Sequence, residues 1–252
     1  MKNNFNRYWE ADFFDVLYWN LFMRRPPSQI KKEGKIILSL SPSSALTYLD
    51  LCCGVGDIGN YLAQQQKIVT GVEISKDYQL ISQQKFNKIN FINKSVLDFN
   101  TKQKFDVVYN WFSSFGYFDE DDNLKLLLKA YHFLNENGIF ILETYNSYDV
   151  IKNFKNIFTY QKDFYHQKYL INRSCQINFS ERKLEQEWLF FKNQKLIKQQ
   201  QTFTKLYFID DFINLFKQVG FKNIEVYGTT KKYQSFKLDD GWAPRIIVRG
   251  QK

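Results

Sequence analysis

One stretch near residue 50 constrains the fold most, because it joins a short apolar run, a glycine turn and a helical pattern. It extends from Leu46 to Ala63 and reads LTYLDLCCGVGDIGNYLA. The apolar run has the length of a buried strand, and Asp50 lies near its end. A Cβ atom at Gly54 or Gly56 would block a ligand or forbid the backbone angles of the turn. A strand, a glycine turn and a helix in succession bring the backbone close to a nucleotide-like ligand.

A second apolar run, Ile68 to Val72, ends in Glu73. An acid at this place can accept hydrogen bonds from both hydroxyls of a ribose. Two ligands fit this pattern, a dinucleotide and S-adenosylmethionine. A dinucleotide needs a third glycine and places its pyrophosphate on the helix N-terminus, where Asp57 would repel it. A ligand with an ammonium group and no phosphates suits the turn better.

The same stretch resembles the first motif of class I S-adenosylmethionine-dependent methyltransferases, (D/E)-x-G-x-G-x-G. Asp50, Gly54 and Gly56 match the motif, and Cys52 replaces its first glycine. The resemblance implies that these residues bind S-adenosylmethionine together with two residues at the end of the second strand, Glu73 and Ile74. The alternative is a doubly wound domain that binds another nucleotide or nothing.

The segment after the third predicted strand, Ile89 to Ile92, also has a counterpart in that family. It reads NKSVLDF and corresponds to the usual G-D-x-x-D-(L/F). In this alignment Ser95 replaces the acid that accepts a hydrogen bond from the adenine amino group. The resemblance implies that Val96 offers its backbone N–H to the adenine ring.

The fourth predicted strand, Phe105 to Tyr109, is followed by the sequence NWFSSFGYF. This stretch resembles the N-x-F-(S/T)-S-F-G-Y-F segment of a broad group of small bacterial methyltransferases. The resemblance implies that Asn110 and Phe112 contact the cofactor and that the methyl group is transferred over this loop. Tyr117, and Tyr145 after the fifth strand, are therefore predicted to line the acceptor side as catalytic residues.

The first 45 residues are predicted to be helical. Tyr8 to Met23 has an amphipathic pattern rich in aromatic side chains, and a second helix is predicted from Ser28 to Leu40. The resemblance implies a lid over the cofactor, with Tyr18 in contact with it. Packing of the aromatic side chains against the core is the plainer interpretation.

Residues 155–207 interrupt the alternation of strands and helices and are predicted to form an antiparallel β insertion. The predicted strands are Tyr169–Ile171, Ser174–Phe179, Lys183–Phe191 and Gln200–Tyr207. The resemblance implies that such a sheet caps the active site and forms a homodimer contact. His166, at the entry to the insertion, is a candidate general base because imidazole titrates near neutrality. A surface position on a loop is the alternative for this residue.

Charge and cysteine content bear on partners and location. The formal net charge is +9, which raises the possibility of nucleic-acid binding, but the lysines are scattered and nucleic acid is not the expected partner. Three cysteines without metal-ligand spacing predict no metal site and a reducing, cytoplasmic compartment. Neither a signal peptide nor a membrane-spanning run is evident.

Taken together, the patterns predict an α/β domain over residues 46–252 with a doubly wound, mostly parallel sheet of seven strands. The last two of these are expected at Phe221–Tyr227 and Ala243–Arg249. The implied function is in-line transfer of a methyl group from S-adenosylmethionine to a small molecule, with nitrogen or oxygen as the acceptor atom rather than carbon. An RNA methyltransferase is the alternative function.

Overall fold

The structure is a computed structural model that describes residues 9–230, 233, 236–238 and 243–252, with the backbone alone for 236–238. In this part of the chain the α-helices are α1 (Trp9–Phe13), α2 (Val16–Tyr18), α3 (Pro27–Leu40), α4 (Asp57–Gln64), α5 (Lys76–Lys85), α6 (Glu120–Phe133), α7 (Ser147–Lys152) and α8 (Ile209–Val219). The strands are β1 (Thr47–Leu51), β2 (Ile68–Glu73), β3 (Asn90–Asn93), β4 (Phe105–Asn110), β5 (Leu134–Tyr145), β6 (Ile157–Phe164), β7 (Gln167–Asn178), β8 (Lys183–Lys192), β9 (Lys195–Lys205), β10 (Lys222–Thr229), β11 (Phe236–Leu238) and β12 (Arg245–Gln251). None of the described helices has the length and apolarity that crossing a membrane requires.

The main sheet has the strand order β11-β10-β12-β5-β4-β1-β2-β3. Strands β3, β2, β1, β4 and β5 pair in parallel, and β12, β10 and β11 add antiparallel strands at one edge. The strand order reverses between β1 and β4, which is where doubly wound sheets bind ligands at their carboxyl edge. The predicted doubly wound, mostly parallel sheet of seven strands is confirmed, and the short strand β11 extends its edge.

Alternating side chains of the central strands build an apolar layer on each face of the sheet. On β1, Leu49 and Leu51 join the layer shared with α6 and α8, whereas Tyr48 joins the layer shared with α3 and α4. A shift of one residue would exchange these faces, so the alternation specifies the register. Asp50 has the parity of Tyr48 and is only 3% exposed. A carboxyl group is rarely buried without a reason. Asp50 is buried here because it lines a cavity at the end of β1, which is described below.

The connection between α6 and β5 differs from the sequence prediction. The sequence predicts a helix that starts at Asp119–Asp122 and ends at Asn137 and Gly138, but the helix ends at Phe133, and β5 begins at Leu134. Leu134 is fully buried and pairs with Phe105 of β4. Pairing within the sheet therefore overrides the local helical pattern, and Asn137 accommodates the irregular strand start with a φ of +63°.

The N-terminal segment, residues 9–23, is not the single amphipathic helix that was predicted. It consists of α1, α2 and a π-helical turn, Trp19–Met23. The break falls before Asp15, whose side chain accepts a hydrogen bond from the backbone N–H of Tyr18 at 2.7 Å and caps α2. A short polar side chain that bonds the following backbone competes with helix continuation. Lys198 of β9 holds the same carboxylate at 2.7 Å.

The insertion is a separate antiparallel sheet with the order β6-β7-β8-β9. Strand β6 was not predicted, and β7 continues through Asn172 and Arg173, where the sequence suggested a gap between two strands. A two-residue turn, Tyr165–His166, joins β6 to β7, with φ of +46° and +58°. Such turns match the twist of hairpin strands but usually contain asparagine or glycine, so the local sequence gave little indication of this hairpin.

A third apolar cluster joins the N-terminal segment to the inner face of the insertion sheet. Its buried members from the N-terminal segment are Trp9, Phe13 and Leu21, and those from the sheet are Tyr169, Ile171, Trp188, Phe190 and Phe203. The rings of Phe13 and Trp188 are 5.4 Å apart. Because the segment and the sheet bury each other's apolar side chains, they form one unit above the carboxyl edge of the main sheet.

Candidate functional site

Two adjoining cavities lie above the carboxyl edge of the main sheet. The first, called the edge cavity here, has a volume of about 120 Å³ and lies between the turn after β1, the ends of β2 and β4, and the N-terminal segment. Most of the predicted site residues line it, namely Tyr18, Asp50, Cys52, Gly54, Glu73, Ile74, Ser95, Val96, Phe112, Tyr117 and Tyr145. Three predicted residues are absent from this lining: Gly56, Asn110 and His166.

The turn after β1 contains three residues with positive φ. The angle is +61° at Cys52, +59° at Gly54 and +82° at Gly56. A Cβ atom on Gly54 would meet no atom within 4 Å, whereas one on Gly56 would lie 2.3 Å from Cδ1 of Ile89. Gly54 therefore leaves room for a ligand at the cavity wall, and Gly56 serves close packing beneath the turn.

The carboxylate of Glu73 braces this turn. It accepts hydrogen bonds from the backbone N–H groups of Gly54 and Ser75, both at 3.0 Å. Burial raises the pKa of Glu73 above its ordinary value, and burial raises the pKa of Asp50 to about 8. The two acids face the same cavity. A ligand with positive charge would favour their ionised forms.

The loop after β3 is a tight turn that presents Ser95 and Val96 to the edge cavity. Both residues are buried. The Ser95 hydroxyl accepts a hydrogen bond from the N–H of Leu97 at 3.3 Å, and its carbonyl accepts one from Phe99 at 2.9 Å. Nearby, the side-chain amide nitrogen of Asn93 donates hydrogen bonds to the backbone carbonyls of Glu73 and Ile74, each at 2.9 Å. These bonds fix the backbone that surrounds the cavity.

The loop after β4 is held in an unfavourable backbone conformation by buried charges. Phe112 and Ser113 have φ of +69° and +65°. Glu143 accepts the N–H of Phe112 at 2.8 Å and forms an ion pair with Arg245, which in turn donates to the Ser113 hydroxyl at 2.7 Å. Asn110 is fully buried and donates to the carbonyl of Leu51 at 2.7 Å. It thus ties β4 to β1 beneath the cavity.

The second cavity, called the insertion cavity here, has a volume of about 550 Å³. Its walls come from the N-terminal segment, the end of β5, α7 and the inner face of the insertion sheet. Aromatic side chains dominate the lining, and Arg173 of β7 lies among them. The insertion sheet thus forms one wall of the cavity, and its role as a cap over the active site stays a prediction.

Four aromatic side chains line both cavities and separate them: Phe14, Tyr18, Tyr117 and Tyr145. Burial raises the pKa of Tyr18 and Tyr117 above the ordinary value for tyrosine. These two phenols therefore stay protonated near neutral pH and can donate hydrogen bonds. Tyr145 is 45% exposed and stacks under Arg245, with 4.4 Å between the guanidinium carbon and the ring centre.

His166 lies in the exposed two-residue turn between β6 and β7. It belongs to the lining of neither the edge cavity nor the insertion cavity. The structure therefore brings Tyr117 and Tyr145 together but leaves His166 at the tip of a hairpin.

Glu10 and Arg25 also line the edge cavity, and neither was predicted as a site residue. Glu10 is 5% exposed, and its Oε2 is buried without a hydrogen-bond partner among the described residues. Burial raises the pKa of Glu10 to about 7. Arg25 pairs with Glu33 and lies 5.1 Å above the Phe112 ring. An acid within an aromatic helical segment was the one available signal for Glu10.

Comparison with known proteins agrees with this arrangement. Residues 49–138 match a family described as a methyltransferase domain. A protein of Geobacillus sp. (strain WCH70), provisionally named a methyltransferase, is 25% identical over 147 residues. That alignment covers 56% of this chain and 56% of the relative, so the chain spans about half the length of the curated relative it matches.

Solved structures resemble the whole chain. An S-adenosylmethionine-dependent methyltransferase from Clostridium acetobutylicum has a TM-score of 0.72 at 18% identity, covering 95% of this chain and 98% of that one. An amino pentose methyltransferase from Micromonospora echinaspora, solved with S-adenosylmethionine bound, has a TM-score of 0.67 at 13% identity and full coverage of both chains. At these identities the likeness shows that the chain has the Rossmann-like methyltransferase fold.

Proposed function

We propose that this protein transfers a methyl group from S-adenosylmethionine to a small-molecule acceptor. The observation that carries the proposal is the pair of adjoining cavities with a shared aromatic wall. The edge cavity is lined by most of the residues that the methyltransferase motifs point to, and the insertion cavity adjoins it on the other side of Tyr18, Tyr117 and Tyr145. The match of residues 49–138 to a methyltransferase domain supports the same conclusion.

The residues of the edge cavity fit S-adenosylmethionine. Gly54 leaves its surface open, and Glu73 lies where a ribose diol would bind. Ile74, Ser95 and Val96 form a mixed apolar and polar wall suited to a purine. Glu10 presents an oxygen without a partner among the described residues, which suits the positive charge of this cofactor.

When bound, S-adenosylmethionine supplies an electrophilic methyl group. The protein's task is then to hold an acceptor atom in line with it and to exclude water. The shared wall of Phe14, Tyr117 and Tyr145 contacts both cavities and can position the acceptor. Tyr117 remains a hydrogen-bond donor near neutral pH, because burial raises its pKa. We assign positioning to Tyr117 and Tyr145, and we propose no role for His166.

The size of the insertion cavity favours a small acceptor. Its volume of about 550 Å³ lies in the range of ordinary small-molecule sites. Nitrogen and oxygen acceptors suit a site whose aromatic walls can stabilise an ammonium group or cover an apolar ring. The relative from Micromonospora echinaspora is an amino pentose methyltransferase, which is consistent with an amine acceptor.

Calorimetric titration with S-adenosylmethionine tests the cofactor assignment directly. Wild-type protein should bind it, and Glu73→Gln should weaken the affinity by about ten- to a hundred-fold, because a charged acceptor of two hydroxyl donors is lost. Glu136→Gln is the matched control, since the Glu136 side chain is 85% exposed and remote from the motifs. Absence of binding to the wild-type protein would overturn the proposal, as would equal affinities for wild type and Glu73→Gln.

A further inference from the structure

Arg173 places a guanidinium group in the insertion cavity. It lies in the middle of β7, on the same face as Ile171 and Cys175, which are both buried. The alternation of β7 therefore directs Arg173 inward, toward the aromatic wall. Its Nε atom is buried and has no hydrogen-bond partner among the described residues.

Aromatic rings hold this guanidinium in place. Its central carbon lies 4.0 Å from the ring centre of Phe158, 4.9 Å from that of Trp188 and 5.8 Å from that of Tyr160. Cation–π contact orients the planar group and leaves its N–H edge available to a ligand. The Arg173 side chain also donates a hydrogen bond to the Cys175 sulfur on the same strand, which leaves its remaining N–H groups for a ligand. Within the described residues, no carboxylate forms an ion pair with Arg173.

Two other charged side chains line the insertion cavity, Asp149 of α7 and Lys155, and their opposite formal charges offset each other. Asp149 accepts a hydrogen bond from the side chain of Asn153 at 2.7 Å. Glu185 and Glu187 of β8 belong to a shallow pocket on the opposite side of the sheet. The inner face thus carries a partly buried cation with aromatic neighbours and no acid paired with it among the described residues.

We propose that the methyl acceptor carries an anionic group, a carboxylate or a phosphate, which Arg173 binds. This inference rests on the proposed function and names the acceptor class for the same site. Two oxygens of such a group match the N–H edge of the guanidinium in a bidentate geometry. Phe158 and Trp188 cover the apolar body of the acceptor, and the atom that is methylated faces Tyr117 and Tyr145 at the shared wall.

An uncharged acceptor would cover the guanidinium in the insertion cavity without giving it a counter-charge. Enclosing an unpaired cation beneath a ligand is unfavourable, because the cation loses water without gaining a partner. An anionic acceptor removes this penalty and places its charge far from the reacting atom. Arg173 thus determines specificity through the acceptor's remote end.

Ligand-observed NMR titrations test the inference with three aromatic probes small enough to enter the insertion cavity: phenyl phosphate, benzoate and benzyl alcohol. The protein is first saturated with S-adenosylhomocysteine, so that the cofactor side is the same in every sample. We expect at least one anionic probe to bind the wild type more tightly than benzyl alcohol. Comparison of phenyl phosphate with benzoate distinguishes a phosphate acceptor from a carboxylate acceptor.

Arg173→Gln should weaken the binding of the favoured anionic probe by about ten-fold or more, because a charge-assisted bidentate contact is lost. Arg173→Lys should fall between the wild type and Arg173→Gln, since it retains the charge without the planar edge. Lys168→Gln is the matched control, because Lys168 is an exposed cation of the same strand. This control should bind the probes like the wild type. All variants should bind S-adenosylhomocysteine normally, which verifies their fold.

The inference is wrong if the S-adenosylhomocysteine complex binds neither anionic probe more tightly than benzyl alcohol. It is also wrong if Arg173→Gln binds the anionic probe as tightly as the wild type, or if Lys168→Gln weakens it equally. Failure of the wild type to bind S-adenosylhomocysteine would instead contradict the proposed function. The two failures are therefore distinguishable in the same set of samples.

Discussion

Cys52 occupies a backbone position that favours glycine, which explains why the related motif has glycine there. Its φ of +61° lies in the left-handed region, which costs a residue with a Cβ about 1–3 kcal/mol when the surroundings impose it. At ordinary positions alanine stabilises a protein relative to glycine by reducing the freedom of the unfolded chain. The backbone angle at this turn should reverse that order.

We therefore predict that Cys52→Gly is more stable than Cys52→Ala by about 1 kcal/mol. Both variants remove the thiol, so the comparison isolates the backbone angle. Equilibrium unfolding in urea measures the difference. A Cys52→Ala variant that equals or exceeds Cys52→Gly in stability would show that the turn relaxes at no cost, and the strain assigned to Cys52 would be absent.

Glu10 gives the ligand-free protein a specific pH dependence. Burial raises its pKa from 4.5 to about 7, so between these values the folded protein keeps a proton that the unfolded chain releases. The free energy of unfolding then falls as pH rises through this window and levels off above it. The free energy of unfolding of the neutral variant Glu10→Gln does not fall in this way as the pH rises.

Glu10→Gln should accordingly be more stable than the wild type at about pH 8, by about 1–3 kcal/mol, and nearly equal to it at about pH 4.5. Urea unfolding at several pH values measures the difference. Asp50 also titrates with a raised pKa. Because it is present in both proteins, its effect cancels in the difference between their free energies of unfolding. A difference between wild type and variant that does not change with pH would remove Glu10 from the set of buried titrating groups.

At the residue scale, sequence patterns predicted residues of the edge-cavity lining where suitable side chains and a glycine turn occur within a short stretch. Asp50, Gly54 and Glu73 follow directly from a strand, a turn and a second strand end, and all three line the edge cavity. Glu10 and Arg245 were not identified, because they reach the site from elements distant in sequence. Their roles depend on tertiary packing, which a single sequence does not show; the acid within an aromatic segment was the one signal for Glu10, and Arg245 had none.

At the element scale, the loop after β4 depends on a buried ion pair between neighbouring strands. Glu143 of β5 and Arg245 of β12 are respectively 0% and 4% exposed at their side chains. Glu143 also accepts the N–H of Phe112, and Arg245 donates to Ser113. Two residues with positive φ are thus held beside the edge cavity by bonds to the pair.

Arg245→Met should destabilise the protein by about 3–5 kcal/mol, because it leaves the Glu143 carboxylate buried without its counter-charge. The double variant Glu143→Gln/Arg245→Met removes that charge and should recover part of the loss. Urea unfolding of the two variants provides the comparison. A loss below about 1 kcal/mol for Arg245→Met would mean that the pair is effectively solvated and does not hold the loop.

Elements were predictable where a short, mainly apolar run marked a strand, as in β1, β2 and β4. The errors fell where long-range contacts decide the local structure. Asp15 breaks the N-terminal helix because its carboxylate is bound both by the N–H of Tyr18 and by Lys198 of β9. Strand β6 alternates exposed and half-buried residues, and its hairpin lacks the usual turn residues. Neither feature can be inferred without the partner strand.

At the scale of the whole molecule, the N-terminal segment and the insertion sheet act as one cover over both cavities. The segment supplies Glu10, Phe14 and Tyr18 to the edge cavity, and its apolar side pairs with the sheet through contacts such as Phe13 with Trp188. Lys198 adds hydrogen bonds to the carbonyls of Asp12 and Phe13, both at 3.0 Å. Stabilisation of the segment should therefore extend into the sheet.

Hydrogen exchange with and without S-adenosylhomocysteine tests this coupling. At a ligand concentration about a hundred times Kd, binding stabilises the state with the cover closed over the cavities by about 2.7 kcal/mol. Opening of the cover should therefore become about a hundred-fold rarer. We expect slower amide exchange in residues 9–23 and in β7, β8 and β9. The exchange rates should change less in β10, which belongs to the antiparallel side of the main sheet. The control is Glu73→Gln at the same ligand concentration, where weaker binding should reduce the protection throughout the cover. Protection confined to the turn after β1, with residues 9–23 unchanged, would show that the segment opens independently of the ligand and does not belong to the binding site.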